Sequence, residues 1–78
     1  MNDTTPITNA KELEFAIFCI ENVARELERD PVTVYDAMVQ SEVLNGYIVP
    51  SYEALHTQGR EYIVEDILDV MKERGAAV

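Results

Sequence analysis

The stretch "LEFAIFCIENVAREL", Leu13 to Leu27, constrains the fold more than any other part of the chain. Leu13, Ala16, Ile17, Ile20, Val23, Ala24 and Leu27 recur at intervals of three and four, which is the spacing of a helix face. Phe15, Phe18 and Cys19 add apolar surface beyond that face. A helix apolar on more than one side needs cover on more than one side, so this segment predicts the centre of a helical fold. Glu21 and Arg25 form an i,i+4 pair on its wet side.

The rest of the pattern supplies the cover. Asp30 is a good N-cap and Pro31 suits the first helical position, so a short second helix is predicted to about Ser41, with Val34, Tyr35 and Met38 inward. Asn45-Gly46 reads as a turn. Tyr47, Ile48 and Val49 favour extended backbone and Pro50 ends the run, which predicts a short extended connector. Ser51 caps a helical corner from Tyr52 to about Thr57, and Gly59 breaks it. A last helix runs from about Arg60 to Arg74 and stops at Gly75, with Tyr62, Ile63, Ile67, Val70 and Met71 on its core face.

Asn9, with Glu12 three residues on, is a capping-box-like start for the first helix. Residues 1–8 carry Pro6 and show no period, so they read as a flexible N-terminal arm, with 9–78 as a single helical domain. The fold class expected is mostly α: a small single-domain bundle of three main helices, a short helical corner and one short extended connector.

With 78 residues, 47% of them apolar, a core forms but is thin. Cys19 is the only cysteine, which excludes a disulfide within the chain and suits a reducing cytosol. One Cys and one His cannot make a zinc site, and no calcium loop pattern is present, so no metal or cofactor is expected. The expected supplement to the core is a homo-oligomer or a protein partner.

Charge narrows the partner. Fifteen acids against six scattered bases give a formal net charge of −9. Phosphate backbones need clustered Lys and Arg, so nucleic acid is an unfavourable ligand, and anionic membranes are disfavoured likewise. A basic protein partner is favoured. The N-terminus lacks a signal-peptide pattern and no apolar run approaches a membrane span, so the expected location is cytoplasmic.

Four features merit weighing as sites. His56, the only histidine, has Glu53 at i−3 and Tyr52 at i−4, but no nucleophile beside it. It reads as a residue closing a short helix, bonded to backbone, rather than as a general base. The polar corner His56, Thr57, Gln58, Arg60 and Tyr62 offers one glycine and no phosphate-loop pattern, so a tight helix–helix turn is the favoured reading over a ligand or enzyme site. Glu61, Glu65, Asp69 and Glu73 repeat every four residues and line one ridge, either an ordinary solvated face or a docking face for a basic partner. Phe15, Phe18, Val64 and Leu68 make a second apolar strip, for which interface and folded-in core are both open.

The segments "FAIFCIENVARELERDPVTVYDAM" and "GYIVPSYEALHTQGREYIVEDILDVMKERG" resemble the small bacterial family labelled domain of unknown function 3791. The resemblance covers about residues 13–75. It is most specific from Tyr47 through Pro50, Tyr52, Leu55, His56, Thr57, Gln58, Gly59, Tyr62, Ile63 and Asp66. It brings no catalytic residues with it. What it implies is an accessory or antitoxin-like role beside an ADP-ribosyltransferase-like protein. The residues and the resemblance together predict a non-enzymatic interaction module. A helix-turn-helix regulator is the alternative, although "PVTVYDAMVQ" offers only Gln40 and an opposing Asp36 towards bases.

Overall fold

The computed structural model describes residues 10–76, and the expected arm at 1–8 and the Asn9 cap lie outside that range. Helix α1 spans Ala10–Leu27, α2 Pro31–Gln40, α3 Tyr52–Leu55 and α4 Arg60–Glu73. A π-helical turn occupies Leu44–Ile48 between α2 and α3. No strand occurs among the described residues. The mostly α bundle of three main helices with a short helical corner is therefore the fold.

α1 is the central post. Cys19 and Val23 are wholly buried, and Phe15, Ala16 and Ala24 nearly so. α2 and α4 both pack against it. Val34, Ala37 and Met38 close one side, and Ile63, Val64, Ile67 and Met71 close the other. Burying a side chain of this size contributes about 1.5–3 kcal/mol, so a few such contacts decide the fold.

α2 begins as the sequence predicts. Asp30 is extended (φ −63°, ψ 131°), and its carboxylate accepts a hydrogen bond from the Val32 amide at 3.0 Å. Pro31 takes the first helical position, where its missing N–H costs nothing.

The predicted extended connector is not formed. Leu44–Ile48 winds as a π-helical turn, and the Val49 amide reaches the Leu44 carbonyl at 3.0 Å. Val43, Leu44, Ile48 and Val49 are all buried, so the inward residues repeat at i,i+5, the π interval. A lone strand stub here would leave buried backbone groups unpaired, whereas the π turn satisfies them locally. The β preference of Tyr47, Ile48 and Val49 yields to that requirement. Gly46 thus lies inside this turn, where a Cβ would come within 3.0 Å of Arg74 Nη1. Arg74 Nη1 donates to the Glu42 carbonyl at 2.8 Å and ties the end of α4 to the turn.

The faces of α1, α2 and α4 also rotate relative to expectation. Leu13 and Ile17 are 48% and 44% exposed instead of buried. Tyr35 and Tyr62 likewise face outward. Phe15 and Cys19 take the core positions on α1, and Val64 takes one on α4. Where apolar residues surround a helix, spacing alone does not say which side meets the core.

The ends of α1 and α4 close in the same way, and all three main helices are followed by a residue of positive φ. After α1, the Glu28 amide bonds to the Arg25 carbonyl and the Arg29 amide to the Ala24 carbonyl. After α4, the Gly75 amide bonds to Lys72 and the Ala76 amide to Met71. Glu28, Glu42 and Gly75 have φ of 56°, 66° and 72°. Glycine takes this left-handed position without strain, and a side-chain residue there is disfavoured by about 1–2 kcal/mol. Glu28→Gly is expected to raise stability by about 0.5–1 kcal/mol, and Gly75→Ala to lower it by about 1 kcal/mol, as read by urea denaturation midpoints. Equal midpoints for both variants and the parent would show that these ends carry no strain.

Candidate functional site

α4 sets out four carboxylates along its outer side. Glu61, Glu65, Asp69 and Glu73 are all exposed, one turn apart. Beside them, α1 and α4 enclose a half-open groove of about 330 Å³. Glu26, Arg60, Glu61, Val64, Glu65 and Leu68 line it. Val64 is buried and Leu68 half-buried, so the groove has an apolar floor under an acidic rim.

Arg60 is the one cation in that lining, and it is already engaged. Its Nη1 donates to Asn22 Oδ1 at 3.4 Å, across 38 positions of sequence. Asn22 is buried on α1, and its Nδ2 donates to the Phe18 carbonyl at 2.8 Å. A buried amide needs partners on both its ends, and these two supply them. Among the described residues, no ion pair or hydrogen bond engages the carboxylates of Glu26, Glu61 or Glu65.

The apolar strip folds largely inward. Phe15 and Val64 are buried, so Phe15 adds no contact surface to the folded chain and Val64 contributes only to the floor of the groove. Phe18 and Leu68 are half-buried and pack on the core. Phe15 stacks with Phe18 at 6.3 Å between ring centroids and receives the Tyr52 ring edge-on at 5.4 Å.

His56 lies at the outer end of that aromatic column. Its ring stacks on Tyr52 at 4.3 Å, with 9° between the planes. Nδ1–H donates to the Tyr52 carbonyl at 2.8 Å, which fixes the tautomer and leaves Nε2 towards solvent. The residue is exposed and follows α3 as its C-cap, as the sequence reading favours. Thr57, Gln58 and Tyr62 are exposed as well, and none of them lines the groove. Gly59 is the N-cap of α4 and no side chain bonds there, so neither Thr57 nor Gln58 caps the helix. The expected polar corner therefore divides: Arg60 turns to α1, and the other four remain on the surface.

Two features carry perturbed acid–base behaviour: the apolar run of α1 places the first of them in the core, and the second leaves no sign in the sequence. Burial pushes the Cys19 thiol up to about 12, so it is a protonated core residue and not a nucleophile. Tyr47 donates its hydroxyl to the Asp66 carboxylate, linking the π turn to α4. That bond first, then desolvation and the Asp66 charge, raise the Tyr47 phenol from 10.0 to about 12, with Arg74 opposing. Only the three-dimensional fold brings these two residues together. No group of three or more His, Cys, Asp or Glu side chains is placed to hold a metal among the described residues, and no helix there is long and apolar enough to cross a membrane.

The Tyr47 shift has a signed consequence. The folded state binds the phenolic proton more tightly than the unfolded state does. The pair's contribution is therefore complete below about pH 10 and is lost as pH rises towards 12. Absorbance titration should show one of the four tyrosines ionising late, and Tyr47→Phe should remove that late step. If the late step survives in Tyr47→Phe, another tyrosine carries it.

The model of the family described as "Protein of unknown function (DUF3791)" matches residues 14–74, and the chain belongs to that family. No curated protein and no solved structure matches the chain.

Proposed function

We propose that this member of the DUF3791 family is a non-enzymatic interaction module that docks a basic protein on the α1–α4 groove and the acidic ridge of α4. One observation carries the reading: Glu26, Glu61 and Glu65 stand around an apolar floor with no ion pair among the described residues. Neighbouring carboxylates one turn apart repel by a few tenths of a kcal/mol per pair. A partner's Lys or Arg relieves that repulsion and lays its aliphatic stem over Leu68. The net charge of −9 speeds such an encounter and rejects acidic competitors.

An accessory or antitoxin-like partnership with an ADP-ribosyltransferase-like protein, acting in the cytoplasm, is the form of this role that the family resemblance favours. A DNA-binding role has less behind it. α2 exposes Val32, Thr33, Tyr35, Asp36 and Gln40, and none of these is a cation.

The test is co-purification from the source cell with the parent chain and with Glu61→Lys/Glu65→Lys as baits. The parent should retain a defined basic protein, and the charge reversal should weaken that complex at least tenfold, about 1.4 kcal/mol. Both substitutions are on exposed positions, so the fold should persist with unchanged or slightly higher stability. The reading fails if both baits retain the same proteins equally, or if the parent is a monomer without partners.

A further inference from the structure

A second surface is independent of the groove. Leu13, Ile17, Ile20, Ala24 and Leu27 form one seam along α1 at four- and three-residue steps. Its two halves differ. Ala24 is buried, and Ile20 and Leu27 are packed on the core. Leu13 and Ile17 are the large apolar residues of α1 left nearly half exposed.

Helix lengths explain the difference. α1 has 18 residues and α2 has 10, or about 27 Å against about 15 Å at roughly 1.5 Å per residue. A three-residue turn joins them, so α2 runs back along α1 from its C-terminal end. The chain then leaves for the π turn at Leu44, so α2 is too short to match the whole length of α1. The seam continues, but its helical cover stops.

We infer that the Leu13–Ile17 face of α1 is a docking site for a short basic amphipathic helix of another protein, seated where α2 would continue. The second half of the seam, Ile20, Ala24 and Leu27, is packed against the core, and a helix fits the first half at the same apolar interval. About two turns, with apolar residues at i and i+3 or i+4, match the uncovered length. Charge decides the chemistry. Glu14 and Glu21 are exposed beside the seam with no ion pair among the described residues; Lys11 is the one base on these turns, while Arg25 and Arg29 lie with Glu21 at the far, covered end. A second copy of the chain is the weaker occupant. It would bring a further −9 of formal charge to the contact. Two half-exposed side chains also fall far short of the roughly 800 Å² per side that a standing dimer buries.

The experiment uses the full chain, labelled with nitrogen-15, and a 14-residue helical peptide of leucine at i, i+3, i+4 and i+7 and lysine elsewhere, at low salt. Saturable amide shifts confined to residues 10–21 are expected. Leu13→Ser/Ile17→Ser should weaken binding at least tenfold without unfolding the chain, since both residues are on the surface. If that variant does not fold, Glu14→Gln/Glu21→Gln, on exposed positions, should weaken binding several-fold and flatten its salt dependence. The proposal is overturned by no binding, or by shifts confined to the α4 ridge that neither variant alters. It is also overturned if sedimentation shows a dimer of the chain that Leu13→Ser/Ile17→Ser dissociates, because a second copy then covers the seam.

Discussion

The structure depends on covering α1 from two sides at once. Cys19 and Val23 reach zero exposure where α2 and α4 both pack on the same helix and the π turn and α3 add to the core. A chain of 78 residues has little surplus apolar surface, so each flank has to be closed efficiently. This explains the unusual segment after α2. An ordinary loop would expose Val43 and Leu44, and a strand stub would strand their amides. The π turn buries Val43, Leu44, Ile48 and Val49 together and keeps their backbone bonded.

The same economy shapes the surface. With the apolar residues of α4 drawn inward, its outer side is left to Glu61, Glu65, Asp69 and Glu73. Arg60 opens α4 and bonds to the buried Asn22, and Lys72 is the other base of the helix, so four ridge acids face two cations. Arg74, at the other end of α4, is committed to the Glu42 carbonyl. The negative charge of α4 is thus left available to an external partner, and the proposed function rests on that availability.

Much of the architecture is legible in the sequence because its signals are local. Asp30-Pro31 opens α2, Gly75 closes α4, and the apolar interval of Leu13 to Leu27 marks α1. The azimuth of α1 is not legible, because Phe15, Phe18 and Cys19 compete with Leu13 and Ile17 for the interior. The π turn is hidden for a related reason: β-branched residues signal a strand unless the burial of both ends is known. Of the candidate site, the acidic ridge and the backbone-bonded His56 could be read directly. The Arg60–Asn22 and Tyr47–Asp66 bonds span 38 and 19 positions and leave no local trace. A polar Asn within the apolar run "CIENVA" is the single hint at the first of them.

The proposed role requires the core around α1 to be complete in the isolated chain, so that the charged faces need not close it. Native-state hydrogen exchange on the purified chain, without any partner, is the test of this. The amides of Cys19 and Val23 should exchange only through global unfolding, with α3 and the turn at Gln58 opening far more readily. If the α1 amides exchange as fast as those of α3 in the absence of any partner, the core is not self-sufficient and the proposed arrangement is wrong.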